Sequence, residues 1–113
     1  MSNTPRETIK ALIDESVGVA PGRLSEIMVE LSAWYARVGQ QLEDILVFKA
    51  DRWMEIRKRD DVKSDKIADR LWDVQSEGKE EIRFRSQLKY LEKVIGSIKF
   101  RLKIKEGESF GRF

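Results

Sequence analysis

The chain has 113 residues, 41% of them hydrophobic and 37% charged, and its 22 Lys and Arg against 20 Asp and Glu leave a net charge of +2. That length fits one domain with a thin core, and the high charge beside only seven glycines and two prolines is the balance of long helices rather than of strands. Having neither cysteine nor histidine, the chain cannot form disulfides, thiolate metal sites, thiol nucleophiles or histidine-based triads, so any enzyme chemistry would rest on carboxylates alone.

In chain order, Thr4-Pro5-Arg6-Glu7 has the form of a capping box with proline at the first helical position, and it predicts a short helix from Pro5 to about Val17 with Ile9, Leu12 and Ile13 on its apolar side. Gly18, Pro21 and Gly22 end it. From Leu24 the apolar residues Leu24, Met28, Leu31, Tyr35, Val38, Leu42 and Ile45 alternate at spacings of four and three, the heptad seam of a coiled coil. Continued, that seam would meet Lys49 and Arg52, so the apolar row shifts to Leu46, Ala50, Trp53 and Ile56, as at a stutter, and the helix runs to about Lys58. Lys58 to Lys63 reads as the turn of a hairpin, followed by Ser64 as the N-cap of a helix opening on Asp65. The second long helix carries Ile67, Leu71 and Val74, then Phe84, Leu88, Leu91, Ile95, Ile98 and Leu102. Between the two groups the seam falters at Gly78, where a hinge is expected; otherwise Glu81 and Arg85, which face the core direction, must pair across an interface.

The expected fold is all-α: a short N-terminal helix plus a long antiparallel helical hairpin, coiled-coil-like and oligomeric. Residues 1–22 hold the short helix and a linker, residues 23–105 the hairpin, and residues 106–113, with two glycines and two phenylalanines, a flexible C-terminal tail. No leader and no bilayer-length apolar run is evident, which places the protein in the cytoplasm with no membrane partner.

Charge is distributed unevenly. Residues 1–48 hold four basic and seven acidic groups, residues 49–78 eight of each, and residues 79–113 ten basic against five acidic. In the last segment Arg85, Lys89 and Lys93 lie four apart, with Lys99, Arg101, Lys103 and Lys105 beyond, a comb able to hold several phosphates. The plainer reading is a solvated face whose cations suit a helix C-terminus. A second cluster, Lys49, Arg52, Arg57, Lys58 and Arg59, surrounds Trp53, and cations interleaved with an aromatic suit single-stranded nucleic acid, although Trp53 also lies on the shifted seam. Asp61, Asp65, Asp69, Asp73, Glu77 and Glu81 recur every four residues. Such a row winds round a helix and cannot form one metal cage, so no metal or other cofactor is expected and the acids should face water or basic groups of a neighbouring subunit.

Lys49-Ala50-Asp51-Arg52-Trp53 ending a long helix, a polar turn, Ser64-Asp65-Lys66 opening the next helix, and Leu88-x-x-Leu91 with Ile95-Gly96-Ser97-Ile98-Lys99-x-Arg101 closing it together resemble small helical proteins of tailed phages, including the UvsY-like recombination mediators. The likeness spans residues 30–105. It implies a non-enzymatic protein that binds single-stranded DNA, forms a homo-oligomer and helps a RecA-like recombinase displace single-strand-binding protein, in the host cytoplasm if phage-encoded. It implies DNA contact at Lys49, Arg52, Arg57 and Lys58, where the charge pattern favours Arg85 to Lys105, and assembly through Leu91, Ile95, Ile98 and Leu102, to which the seam adds Leu88. The alternative is a helical adaptor or inhibitor that docks a protein through its apolar stripe.

Overall fold

A computed structural model describes residues 5–110, with side chains described for residues 6–104; Thr4 of the expected capping box and residues 111–113 lie outside the described residues. The described chain is all-helical, in four helices and without strands: α1 (Pro5–Glu15), α2 (Pro21–Arg57), α3 (Asp65–Asp73) and α4 (Ser76–Phe110). They form two compact units. One holds α1, α2 as far as Arg37, and α4 from Lys89; the other is the intervening segment Val38–Leu88.

In the first unit, α1 ends where the buried Ser16 hydroxyl donates to the Ile13 carbonyl (2.5 Å) and Gly18 takes φ +82°, a left-handed conformation that favours glycine. Pro21 does not belong to the break, as the sequence suggested, but opens α2. Its missing N–H costs nothing at a first helical position, and the helix's first backbone bond runs from Leu24 N to Ala20 O (2.9 Å). Arg23 ties the two helices, pairing with Glu15 at the end of α1 and with Glu26 (3.2 Å) and Glu30 (3.4 Å) on its own helix. From α4, Arg101 donates to the Ser16 carbonyl (2.8 Å) and so satisfies an acceptor at the end of α1. Ile9, Leu12, Leu24, Ile27, Leu31, Leu91 and Ile98 are buried, whereas Met28 is half-buried and Tyr35 exposed. The buried stripe of α2 is thus centred nearer Ile27 than the predicted seam. Three helical segments share this core, and enclosure from two sides needs a wider stripe than a two-stranded seam.

In the second unit, Val38 and Leu42 continue the seam of α2, and the apolar row then shifts to Trp53 and Ile56 as expected, except that Ala50 is exposed. Val62, inside the polar turn, folds back to form a buried cluster with Ile56 and Ala68, against which Trp53 and Leu71 pack. Ser64 caps α3 as its sequence context predicts: its backbone is extended (φ −152°, ψ 162°) and its hydroxyl accepts from Ile67 N (3.3 Å).

The second long helix of the sequence reading is two helices. Their break lies at Val74 and Gln75, ahead of Gly78, where Val74 N bonds Arg70 O (3.2 Å), Gln75 N bonds Trp72 O (3.0 Å), and Gln75 O accepts from Lys79 N (3.0 Å) to start α4. Gly78 is not a hinge but a point of close backbone approach, since a Cβ there would stand 1.9 Å from the Trp72 carbonyl oxygen. Starting a new helix also changes which side of α3 faces inward. Ala68 and Trp72 are fully buried, while Ile67 and Val74 of the expected row are exposed. At the other end α4 continues through Gly107 to Phe110, into the segment read as a tail.

Candidate nucleic-acid interface

The cations predicted to meet DNA divide into those the chain already uses and those it leaves to solvent. In the cluster Lys49 to Arg59, Arg52 pairs with Glu55 (3.0 Å), Arg59 with Asp61 (2.8 Å), and Arg57 with Asp65 (2.8 Å) while also donating to the Val62 carbonyl (3.1 Å). Exposed pairs of this kind are worth about 0–1 kcal/mol each, so a phosphate could compete for Arg52 and Arg59. Arg57 is more committed, because it fastens the turn after α2 to the start of α3. Trp53, proposed as a stacking ring, is half-buried against the Val62 cluster with its indole N–H donating to Asp69 (2.8 Å). Lys58 alone of the five is exposed with no partner among the described residues.

Lys49 is held elsewhere. Its ammonium lies 3.0 Å from Glu81 and 5.7 Å from the centroid of the Trp72 ring, which Phe48 also approaches at 6.2 Å. Glu81 is 7% exposed and further accepts from the Trp72 indole N–H (2.9 Å) and from Arg85 (2.8 Å). Burial pushes the Glu81 carboxyl up, but the hydrogen bonds from Arg85, Lys49 and Trp72 outweigh it and bring its pKa down to about 2. The pairing of Glu81 and Arg85 that the sequence left as the alternative to a hinge is therefore met inside the second unit, joining α2, α3 and α4 through one carboxylate. Of the other acids in the row, Asp61, Asp65 and Asp69 bond Arg59, Arg57 and Trp53 of the same chain, and Glu77 accepts from the neighbouring Ser76 hydroxyl; Arg59 holds the Asp61 carboxyl below its ordinary range. Among the described residues no three acidic groups are placed to hold a metal ion.

The part of α4 in the first unit is different. Arg101 is committed to Ser16, but Lys89, Lys93 and Lys103 are exposed with no partner among the described residues; Lys105 is a helical position whose side chain is not described. At 100° per residue, Lys89, Lys93, Ser97, Phe100 and Ile104 fall within an arc of about 80°, with Tyr90 at its edge and the buried Leu91 and Ile98 opposite. Tyr90 and Phe100, which the sequence reading passed over, are 55% and 65% exposed. Their phase relative to Leu91 and Ile98 was the available signal. Of the residues expected to drive assembly, Leu91 and Ile98 are taken up inside the single chain, leaving Leu88, Ile95 and Leu102 half-buried.

An open cleft of about 350 Å³ in the first unit, lined by Ser32, Tyr35, Glu92, Ile95, Gly96 and Lys99, places one carboxylate and one ammonium beside a tyrosine. No helix among the described residues is long and apolar enough to cross a membrane. Comparison with protein-family models, curated proteins and solved structures found no match.

Proposed function

We propose that this chain is a non-enzymatic, single-stranded DNA-binding accessory protein, similar in role to phage-type recombination mediators and assembling as a homo-oligomer of helical hairpins. The observation that carries this reading is the outward arc of α4, where Lys89 and Lys93 stand one turn apart, exposed and in no ion pair among the described residues. Like charges at that spacing repel and weaken a helix slightly, a penalty that bound phosphates remove. Oligomerisation would multiply a weak contact through effective concentration. Loading a RecA-like recombinase, or displacing single-strand-binding protein, is the task that the likeness to the mediators suggests for such a surface.

Fluorescence anisotropy of a labelled oligothymidylate across a salt series tests the reading. Binding should weaken steeply with salt, and Lys89→Glu with Lys93→Glu should flatten the log–log slope by about 1.4 per subunit, at about 0.7 for each phosphate of a single strand that is no longer neutralised. Absent binding at low salt, or a slope unchanged by the double variant, refutes it. A second reading, a protein-docking adaptor, is favoured by Val29 and Val47, which stand 65% and 68% exposed on α2. It predicts a stoichiometric protein partner that stays bound after nuclease treatment and in the same double variant.

A further inference from the structure

We infer that Tyr90 and Phe100 are the base-stacking residues of the α4 surface and give it a preference for single strands over duplex; the inference rests on the nucleic-acid reading above. Both rings are large and mostly exposed, Phe100 within the arc of Lys89 and Lys93 and Tyr90 at its edge. They stand about 15 Å apart along the axis, at a rise of about 1.5 Å for each of the intervening positions, so two separated bases of one strand can each meet a ring. Every base has a π face, and stacking of this kind tolerates any sequence. A duplex offers its phosphates to the lysines but keeps its bases stacked on one another, so the rings gain nothing from it.

Other occupants fit this arc less well. From Lys89 to Ile104 the sole acidic residue is Glu92, which projects about 100° from the centre of the arc, so a second copy presenting the same arc would bring lysines onto lysines. A membrane surface calls for an apolar face separated from a polar one. Here lysines and rings share the same face, with Ser97 among them, which is the interleaving that a polyanion with exposed bases requires.

The test compares three ligands by anisotropy: an oligothymidylate, a duplex of equal length, and an abasic strand with the same number of phosphates. Tyr90→Ala and Phe100→Ala should each lower affinity for oligothymidylate by about tenfold while leaving the duplex and the abasic strand unaffected. Tyr90→Phe and Phe100→Tyr should retain binding, and circular dichroism should be unchanged because both positions are exposed. Alanine variants that bind oligothymidylate like the wild type, or that weaken equally on the abasic strand, overturn the stacking role while leaving the lysine contacts standing. Weaker binding of the alanine variants to vesicles containing phosphatidylserine, with oligothymidylate binding unchanged, overturns it in favour of a membrane surface. A wild-type chain that binds no oligothymidylate at low salt overturns the nucleic-acid reading itself and this inference with it.

Discussion

Replacing Gly78 with alanine should destabilise the protein, against the usual direction for such a change inside a helix. Alanine in place of glycine in a helix interior is worth up to about 1 kcal/mol in favour of the variant, less near the end, and Gly78 is the third residue of α4. The new methyl would stand 1.9 Å from the Trp72 carbonyl oxygen, 2.8 Å from the carbonyl carbon and 2.9 Å from the Asp73 Cα. All three are backbone atoms, so no side chain can rotate away, and the end of α3 must move by more than an ångström to restore an ordinary contact. Overpacking of this order costs about 1–3 kcal/mol. The movement also strains the bond from Gln75 N to that carbonyl, worth about 1 kcal/mol. The net expectation is a loss of about 1–3 kcal/mol, read from urea unfolding followed by circular dichroism as a lower midpoint at unchanged slope. Gly39→Ala and Gly96→Ala supply the control. Both sit inside helices with nothing within 4 Å of the added carbon, so each should be neutral or stabilising by up to about 1 kcal/mol. A Gly78→Ala variant as stable as these controls would refute the close approach of α3 to the first turn of α4.

Two further predictions concern the second unit. The Glu81 carboxyl is ordinarily near 4.5 and is lowered to about 2 on folding, so it contributes about 3 kcal/mol at neutral pH, an upper figure because Arg85 is half in water. A lowered folded-state pKa means that this contribution is present above pH 4.5 and is lost as pH falls towards 2; the stability gap between wild type and Glu81→Gln should therefore close across that window, and a gap independent of pH would show that the charge is not what Lys49 and Arg85 hold. Ser64→Ala should lower stability by about 1 kcal/mol by removing the acceptor for Ile67 N, measured by thermal unfolding, and an unchanged midpoint would mean that the cap contributes nothing.

What could be read from the chain without its structure followed how locally each signal is written. Pro5, Gly18 and Ser64 mark helix ends through their own backbone or side-chain chemistry, and α1, α2 and the start of α3 fall close to where those residues place them. The break at Val74 and Gln75 contains neither proline nor glycine. A helix read through it put Ile67 and Val74 on the inward row, whereas both are exposed and Trp72 is buried. At the candidate site the cations were legible as charges, but their availability was not. Arg57 meets Asp65 only after the chain has turned once, and Lys49 meets Glu81 only after it has turned twice. Lys89 and Lys93 stayed available because Glu92, the one acid within a turn of either of them, makes no ion pair with them in the fold.

The placement of the three tryptophans makes the chain its own optical gauge. Trp34 lies in the first unit with the Arg37 guanidinium 5.0 Å above its ring, whereas Trp53 and Trp72 lie in the second, one bonded to Asp69 and the other enclosed between Phe48, Lys49 and Glu81. Trp34→Phe leaves all indole emission in the second unit, and Trp53→Phe with Trp72→Phe leaves it all in the first. Whether the two emissions change together or in sequence during unfolding then reports directly on whether two units that share α2 and α4 act as one cooperative body.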